Sequence, residues 1–208
     1  IIFSQSNIEK NKITKNEMLY FVPKKEHLAY TNFGFKSVVA DLLWLRGISY
    51  FMYHFGKDND YKYLYGIFNA SVALDPQFKQ VYRDAMTLLL CDKEHFSEAE
   101  KLILEGVRNM PKDWEMRYMA GTLYAYYLKN DNESLKHLEQ CWGLIPREEK
   151  YKHELENVNI MIKTITEKKN DKSGLVLYWI NKRKEQQTNE SKEFCSMQIR
   201  KYVSALMV

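Results

Sequence analysis

The sequence predicts an all-α protein built of stacked helix pairs, and three observations lead there. Glycine and proline number only 8 and 4 in 208 residues, about half of their average combined usage. Hydrophobic residues make up 45% and charged residues 28% of the chain, a balance that excludes collagen-like, disordered and loop-rich all-β proteins. Three of the prolines, Pro76, Pro111 and Pro146, stand 35 residues apart and then 35 again, each closing an apolar stretch (ALDP, RNMP, GLIP). A fixed period near 34 residues is the signature of paired-helix repeats.

Each element follows from local pattern. Residues 1–22, IIFSQSNIEKNKITKNEMLYFV, are polar and lysine-rich without a sustained period and read as an extended lead-in. The chain starts Ile1-Ile2-Phe3 with no methionine, which leaves open the end of a signal or membrane-anchor helix or an arbitrary cut. Residues 23–208 read as one helical repeat domain. Pro23 can open a short helix, and Gly34 breaks the chain after it. In 38–55, VVADLLWLRGISYFMYHF, the polar positions are chiefly Asp41, Arg46, Ser49 and His54. A helix apolar on nearly every side is expected to be buried. Helix pairs are then expected at about 61–75, 77–91, 96–110, 112–129 and 131–144, with about four extra residues in the first connection, around 56–61. Leu155, Val158, Ile162 and Ile165, spaced 3, 4 and 3, mark a further amphipathic helix. Two more, about 172–186 and 190–206, complete the chain, and Asp171 and Asn189 are candidates to cap them.

Small and bulky residues recur in phase with the prolines. At 12, 8 and 5 residues upstream stand Leu64, Phe68 and Ser71, then Ala99, Ile103 and Gly106, then Ser134, Leu138 and Cys141. On the preceding helices Gly47 and Tyr50 are three apart, as are Gly121 and Tyr124. This pattern resembles the tetratricopeptide repeat family over roughly 38–146. Small residues let neighbouring helices approach while the bulky one fills the gap, and proline ends the second helix without needing a backbone donor. The resemblance implies a right-handed α-solenoid of tetratricopeptide-like helix pairs. It departs from the family at Met86, which replaces the mid-helix small residue.

The string ADLLWLRGISYF, residues 40–51, together with the upstream FVPKKEHLAYTNFGF and the later NMPKDWEMRYMAGTLY, resembles a subgroup of bacterial envelope proteins. Those carry an N-terminal membrane anchor followed by tetratricopeptide repeats. The resemblance implies association with the inner membrane on its periplasmic side, the alternative being the cytoplasm. The longest run without a charged residue, 63–74, has twelve residues, far short of the roughly 18 to 20 that span a bilayer.

Chemistry is sparse. The five histidines, His27, His54, His95, His137 and His153, form no HExxH or HxH pattern. Cys91, Cys141 and Cys195 are odd in number and widely spaced, with no CxxC or zinc-ribbon pattern, so disulfide or metal scaffolding is not expected. His95 and Cys91 would share a helical face if their helix extends that far. No GxGxxG, GxxxxGK[ST] or GxSxG occurs. The sequence therefore reads as non-enzymatic, with no cofactor, metal or small-molecule substrate. Asp41 and Arg46, charges in an apolar helix and about 140° apart around it, should each pair with a different neighbour, because an unpaired buried charge is costly.

The expected function is protein–protein interaction, as an accessory or assembly factor of a bacterial envelope complex whose other proteins are the partners. Fifteen tyrosines include Tyr50, Tyr53, Tyr118, Tyr126 and Tyr127 on first helices of pairs, which line the concave groove of the tetratricopeptide fold. By register Arg83, Asp84 and Thr87, then Tyr118, Thr122 and Tyr126, should face that groove; aromatic groups there suit peptide recognition. The alternative is a nucleic-acid-binding helical repeat, favoured by the basic tail INKRKEQQ. The net charge of +4 is too mild to favour it.

Overall fold

The computed structural model describes residues 35–169, 172–186 and 188–206. The lead-in, the Pro23 and Gly34 boundaries and the Asp171 cap lie outside the described residues. Among these there are nine α-helices and no strand: α1 Lys36–His54, α2 Leu64–Leu74, α3 Lys79–Leu89, α4 Phe96–Asn109, α5 Trp114–Tyr126, α6 Asp131–Leu144, α7 Lys152–Lys168, α8 Lys172–Glu185 and α9 Asn189–Leu206. Pro76, Pro111 and Pro146 each lie two residues beyond the end of a helix, α2, α4 and α6. Proline cannot continue a helix, so all three act as stops.

Helix starts and stops have identifiable causes. The Asp113 carboxylate accepts from Glu115 N at 2.8 Å and Met116 N at 3.2 Å, so α5 begins at Trp114 rather than 112. Lys129 adopts a left-handed φ of 54°, and α5 stops at Tyr126 instead of running to 129. Asn130 caps α6 by accepting from Glu133 N. Asn189 does not cap α9 as expected. It is the first helical residue, and the Thr188 hydroxyl accepts from Ser191 N one position earlier. The extra residues after α1 form a loop with Gly56 and Asn59 at φ values of 72° and 52°. Asp58 and Asp60 stabilise it by accepting from Asp60 N and Lys62 N.

The chain divides into two compact units, with the boundary between Leu102 and Ile103, inside α4. In the first unit α1 packs on α2 and α2 on α3, around Ala40, Leu43, Ala70 and Leu74. In the second unit α5 packs on α6, α6 on α7, α7 on α8 and α8 on α9. A core cluster there includes Leu138, Cys141, Ile145, Val158 and Ile162.

All nine residues that recur in phase with the prolines are buried. The glycines explain the rest of the pattern. A Cβ on Gly47 would lie 2.6 Å from Phe68 Cε1, and one on Gly121 would lie 2.7 Å from Leu138 Cγ. Phe68 and Leu138 occupy the same position, eight residues before their prolines. In each unit, then, a glycine admits the bulky residue of the next helix. A serine hydroxyl adds a buried tie to the preceding helix in both: Ser71 Oγ to Ala40 O and Ser134 Oγ to Gly121 O, each 2.8 Å.

The expectation that 38–55 forms a buried helix is not met. One face of α1 is buried through Ala40, Leu43, Gly47, Tyr50 and Phe51. The other leaves Val38, Leu42, Leu45 and Met52 at least half exposed. Asp41 is exposed and Arg46 half-buried, so neither faces the desolvation that would demand a buried partner.

Candidate functional site

The expected groove residues divide into packed and open ones. In the first unit, Asp84 on α3 accepts from Trp44 Nε1 at 2.7 Å and Gln80 Nε2 at 2.8 Å, tying α3 to α1. Its carboxylate is thereby a structural acceptor. Arg83 and Thr87 are exposed, and the Thr87 hydroxyl donates to Arg83 O at 3.0 Å within α3. In the second unit, Tyr118 is partly buried against the cluster of Leu138 and Val158, and burial raises its phenol pKa. Thr122 Oγ1 donates to Met119 O at 2.9 Å. Tyr126 and Tyr127 are open, 59% and 40% exposed. Tyr50 belongs to the core: it is 1% exposed, donates to Asp60 O at 2.6 Å, and has its pKa pushed up to about 12 by burial and by Asp60.

A second candidate lies wholly within the second unit, where the chain after α6, the start of α7 and the turn from α8 to α9 enclose a cleft of about 750 Å³. Glu185, at the end of α8, holds its wall together. Its Oε1 accepts from Trp142 Nε1 and its Oε2 from Asn159 Nδ2, both at 2.8 Å. Asn159 is 1% exposed, so this carboxylate satisfies a buried amide as well as an indole. Arg147 completes the arrangement: its guanidinium lies 4.0 Å over the Trp142 ring, donates to Trp142 O at 3.0 Å and approaches Glu185 Oε1 at 3.8 Å. A cation over an indole face is attracted by the ring quadrupole. Lys182 pairs with Glu156 at 3.4 Å on the same wall.

The side chains that line the cleft balance in charge. Four carboxylates, Glu148, Glu149, Glu156 and Glu185, line it with Arg147, Lys152, Lys182 and Lys184. The lining residues run from Trp142 to Ser191, and the Trp142–Glu185 bond alone joins positions 43 apart, so no local motif announced them. The one signal was Glu185 within the basic run INKRKEQQ.

Cys91 and His95 do not share a helix face. Helix α3 ends at Leu89 and His95 sits in a short 3₁₀ turn, Lys93–His95. His95 Nδ1 lies 2.6 Å from Glu98 Oε2, and the Cys91 thiol donates to Thr87 O at 3.5 Å. Burial, with Asp113 nearby, pushes the Cys141 thiol up to about 12, far from a reactive thiolate. No group of three or more His, Cys, Asp or Glu side chains is arranged to hold a metal ion among the described residues. Nor is any described helix long and apolar enough to cross a membrane. Compared with models of known families and with curated proteins, the chain matches none.

Proposed function

We propose that this chain is a non-enzymatic scaffold that holds another protein, built as a right-handed α-solenoid of tetratricopeptide-like helix pairs. The observation that carries the reading is the repeated glycine contact. A glycine of one helix admits a bulky residue of the next, Gly47 with Phe68 and Gly121 with Leu138, and both bulky residues stand eight positions before a proline; helices pack on their sequence neighbours within each unit. Architectures of this kind act by presenting an extended surface. The resemblance of residues 40–51 to envelope proteins supports an accessory or assembly role in a bacterial envelope complex, on the periplasmic side of the inner membrane.

Recognition falls to exposed aromatic side chains of the second unit, Tyr126 at the end of α5 and Tyr127 just after it. Aromatic groups give large contact area with little entropy loss on binding. The nucleic-acid alternative loses support because Lys182 and Lys184 share the cleft with four carboxylates. The test is crosslinking and affinity capture from a native membrane fraction. Wild type should recover a defined protein partner, and Tyr126→Ala with Tyr127→Ala should reduce its recovery at least about fivefold with an unchanged helical spectrum. Equal recovery by the double variant would reject this surface, and recovery of nucleic acid alone would reject the scaffold reading.

A further inference from the structure

Helix α1, with its N-cap residue Phe35, carries a second apolar seam with no covering partner among the described residues. Phe35, Val38, Leu42, Leu45 and Met52 are 67%, 53%, 60%, 51% and 63% exposed. With Ser49, whose hydroxyl donates back to Leu45 O at 2.8 Å, they follow one another at intervals of 3, 4, 3, 4 and 3. That is the spacing of an a/d heptad seam, with Phe35, Leu42 and Ser49 at a and Val38, Leu45 and Met52 at d. The buried residues Ala40, Leu43, Gly47 and Tyr50 lie on the opposite side of the same helix. Monomeric proteins rarely leave a largely apolar stripe about 25 Å long open to water.

The flanks of the seam point to its occupant. In this register Asp41 is at g and Arg46 at e, on opposite sides of the stripe and each about 70° from its centre. In a parallel two-stranded coiled coil, a g residue meets the e residue five positions later on the other strand. Asp41 and Arg46 are five apart and opposite in charge, so two copies in register make the pair twice. Ile48 and Tyr53, also g and e, meet in the same way as an apolar pair. An antiparallel arrangement would bring g to g and e to e and lose both matches. Arg46 is already engaged within its own chain, but a guanidinium has five donors and can serve a second acceptor.

We infer that α1 pairs in parallel with α1 of a second copy of this chain, forming a two-fold dimer through the Phe35–Met52 seam. An isolated helix of this length is marginal in water. Here its other face is already packed on α2, so dimerisation bears no cost of folding the helix. The inference concerns self-association and does not rest on the scaffold reading, which a monomer or a dimer would satisfy equally.

The test uses the full 208-residue chain in sedimentation equilibrium at about 1 to 100 μM, the ordinary range of moderate affinity. Wild type is expected to reach twice its 24.9 kDa mass. Leu42→Asp with Leu45→Asp should be monomeric with an unchanged helical spectrum, since both side chains are already exposed. Asp41→Arg should raise the dimer dissociation constant about tenfold, because two attractive pairs become repulsive. Adding Arg46→Asp to it should restore dimerisation. In a Cys91→Ser background, Ser49→Cys should form an intermolecular disulfide on mild oxidation, because an a residue meets its own copy only in a parallel, in-register pair. Three results overturn the proposal: a monomer throughout the range, a dimer indifferent to the Leu42 and Leu45 changes, or a dimer that does not crosslink through position 49. If the chain dimerises only after residues 1–34 are deleted, the upstream chain is the occupant; if α1 captures a foreign helix while remaining monomeric, the occupant is another protein.

Discussion

His137 is 4% exposed, stacked on Tyr124 at 5.7 Å, and its Nδ1 lies 3.5 Å from Arg117 Nη1. The guanidinium can only donate, so Nδ1 must be unprotonated to accept. Burial first, and Arg117 second, lower the pKa of this imidazole below its usual value near 6.5. The sign of the linkage follows: the unfolded chain takes up a proton before the folded one, so stability is retained above about pH 6.5 and lost as pH falls toward the lowered folded value. His137→Gln should therefore flatten the fall in Tm between about pH 7 and 5, measured by calorimetry beside wild type. A parallel fall in both proteins would show that His137 does not titrate in that interval. Glu185 makes a different prediction. Its removal leaves the buried Asn159 amide and the Trp142 indole without their acceptor, so Glu185→Ala should cost about 1 to 3 kcal/mol in urea unfolding. Glu185→Gln, which keeps one acceptor oxygen, should cost less, and the reverse order would mean that the carboxylate charge itself is unfavourable there.

At the scale of elements, four helical glycines separate packing from propensity. Gly→Ala in an open helix position gains up to about 1 kcal/mol from propensity alone. Gly66 in α2 and Gly143 in α6 have nothing within 4 Å of an added Cβ, and alanine at either should stabilise. At Gly47 the added carbon would meet the ring of fully buried Phe68, and at Gly121 it would meet Leu138 Cγ. Neither neighbour can swing into solvent, so both substitutions should destabilise by about 1 to 3 kcal/mol, the usual cost of overpacking. Chemical denaturation of the four single variants checks the split, and equal effects at all four would remove the close-approach explanation of the repeat. The same elements show what the sequence could and could not tell. Helix α6 falls on 131–144 as expected because Asn130 caps its start and Pro146 ends it, both readable locally. Helix α2 starts at Leu64 rather than 61 because the Asp58 and Asp60 side chains hold the preceding loop, a choice that composition does not reveal. The apolar surround of α1 was legible, but a sequence cannot say whether a second apolar face meets its own chain or another. The Glu185 cleft stayed hidden because α6, α7 and α8 converge only after packing.

For the whole molecule, the decisive quantity is how its 31 basic and 27 acidic side chains are distributed. They alternate along the sequence, and the structure pairs many of them locally: Lys136 with Glu133, Lys150 with Glu148, Lys152 with Glu149 and Lys168 with Asp131, all at 2.8 to 2.9 or 3.0 Å. Exposed pairs like these contribute little to stability, but they break up any continuous basic field. Non-specific nucleic-acid binding needs several cations that can replace condensed counterions, and it weakens steeply with salt for that reason. The apolar side chains left open have a different character. Tyr126 at the end of α5 and Tyr127 just after it, Leu177 and Ile180 on α8, and Phe194 and Met197 on α9 are all more than a third exposed, and apolar contacts strengthen rather than weaken as salt is raised. Partner binding by this chain should therefore survive about 0.5 M salt with less than a threefold loss of affinity, whereas duplex DNA or structured RNA should show no measurable binding at 0.15 M salt with the chain at about 10 μM. Fluorescence anisotropy across a salt series measures both. A tight nucleic-acid complex whose affinity falls by about a thousandfold between 0.05 and 0.2 M salt would overturn the proposed protein-binding role, because it requires a basic surface that the compensated charges among the described residues do not provide.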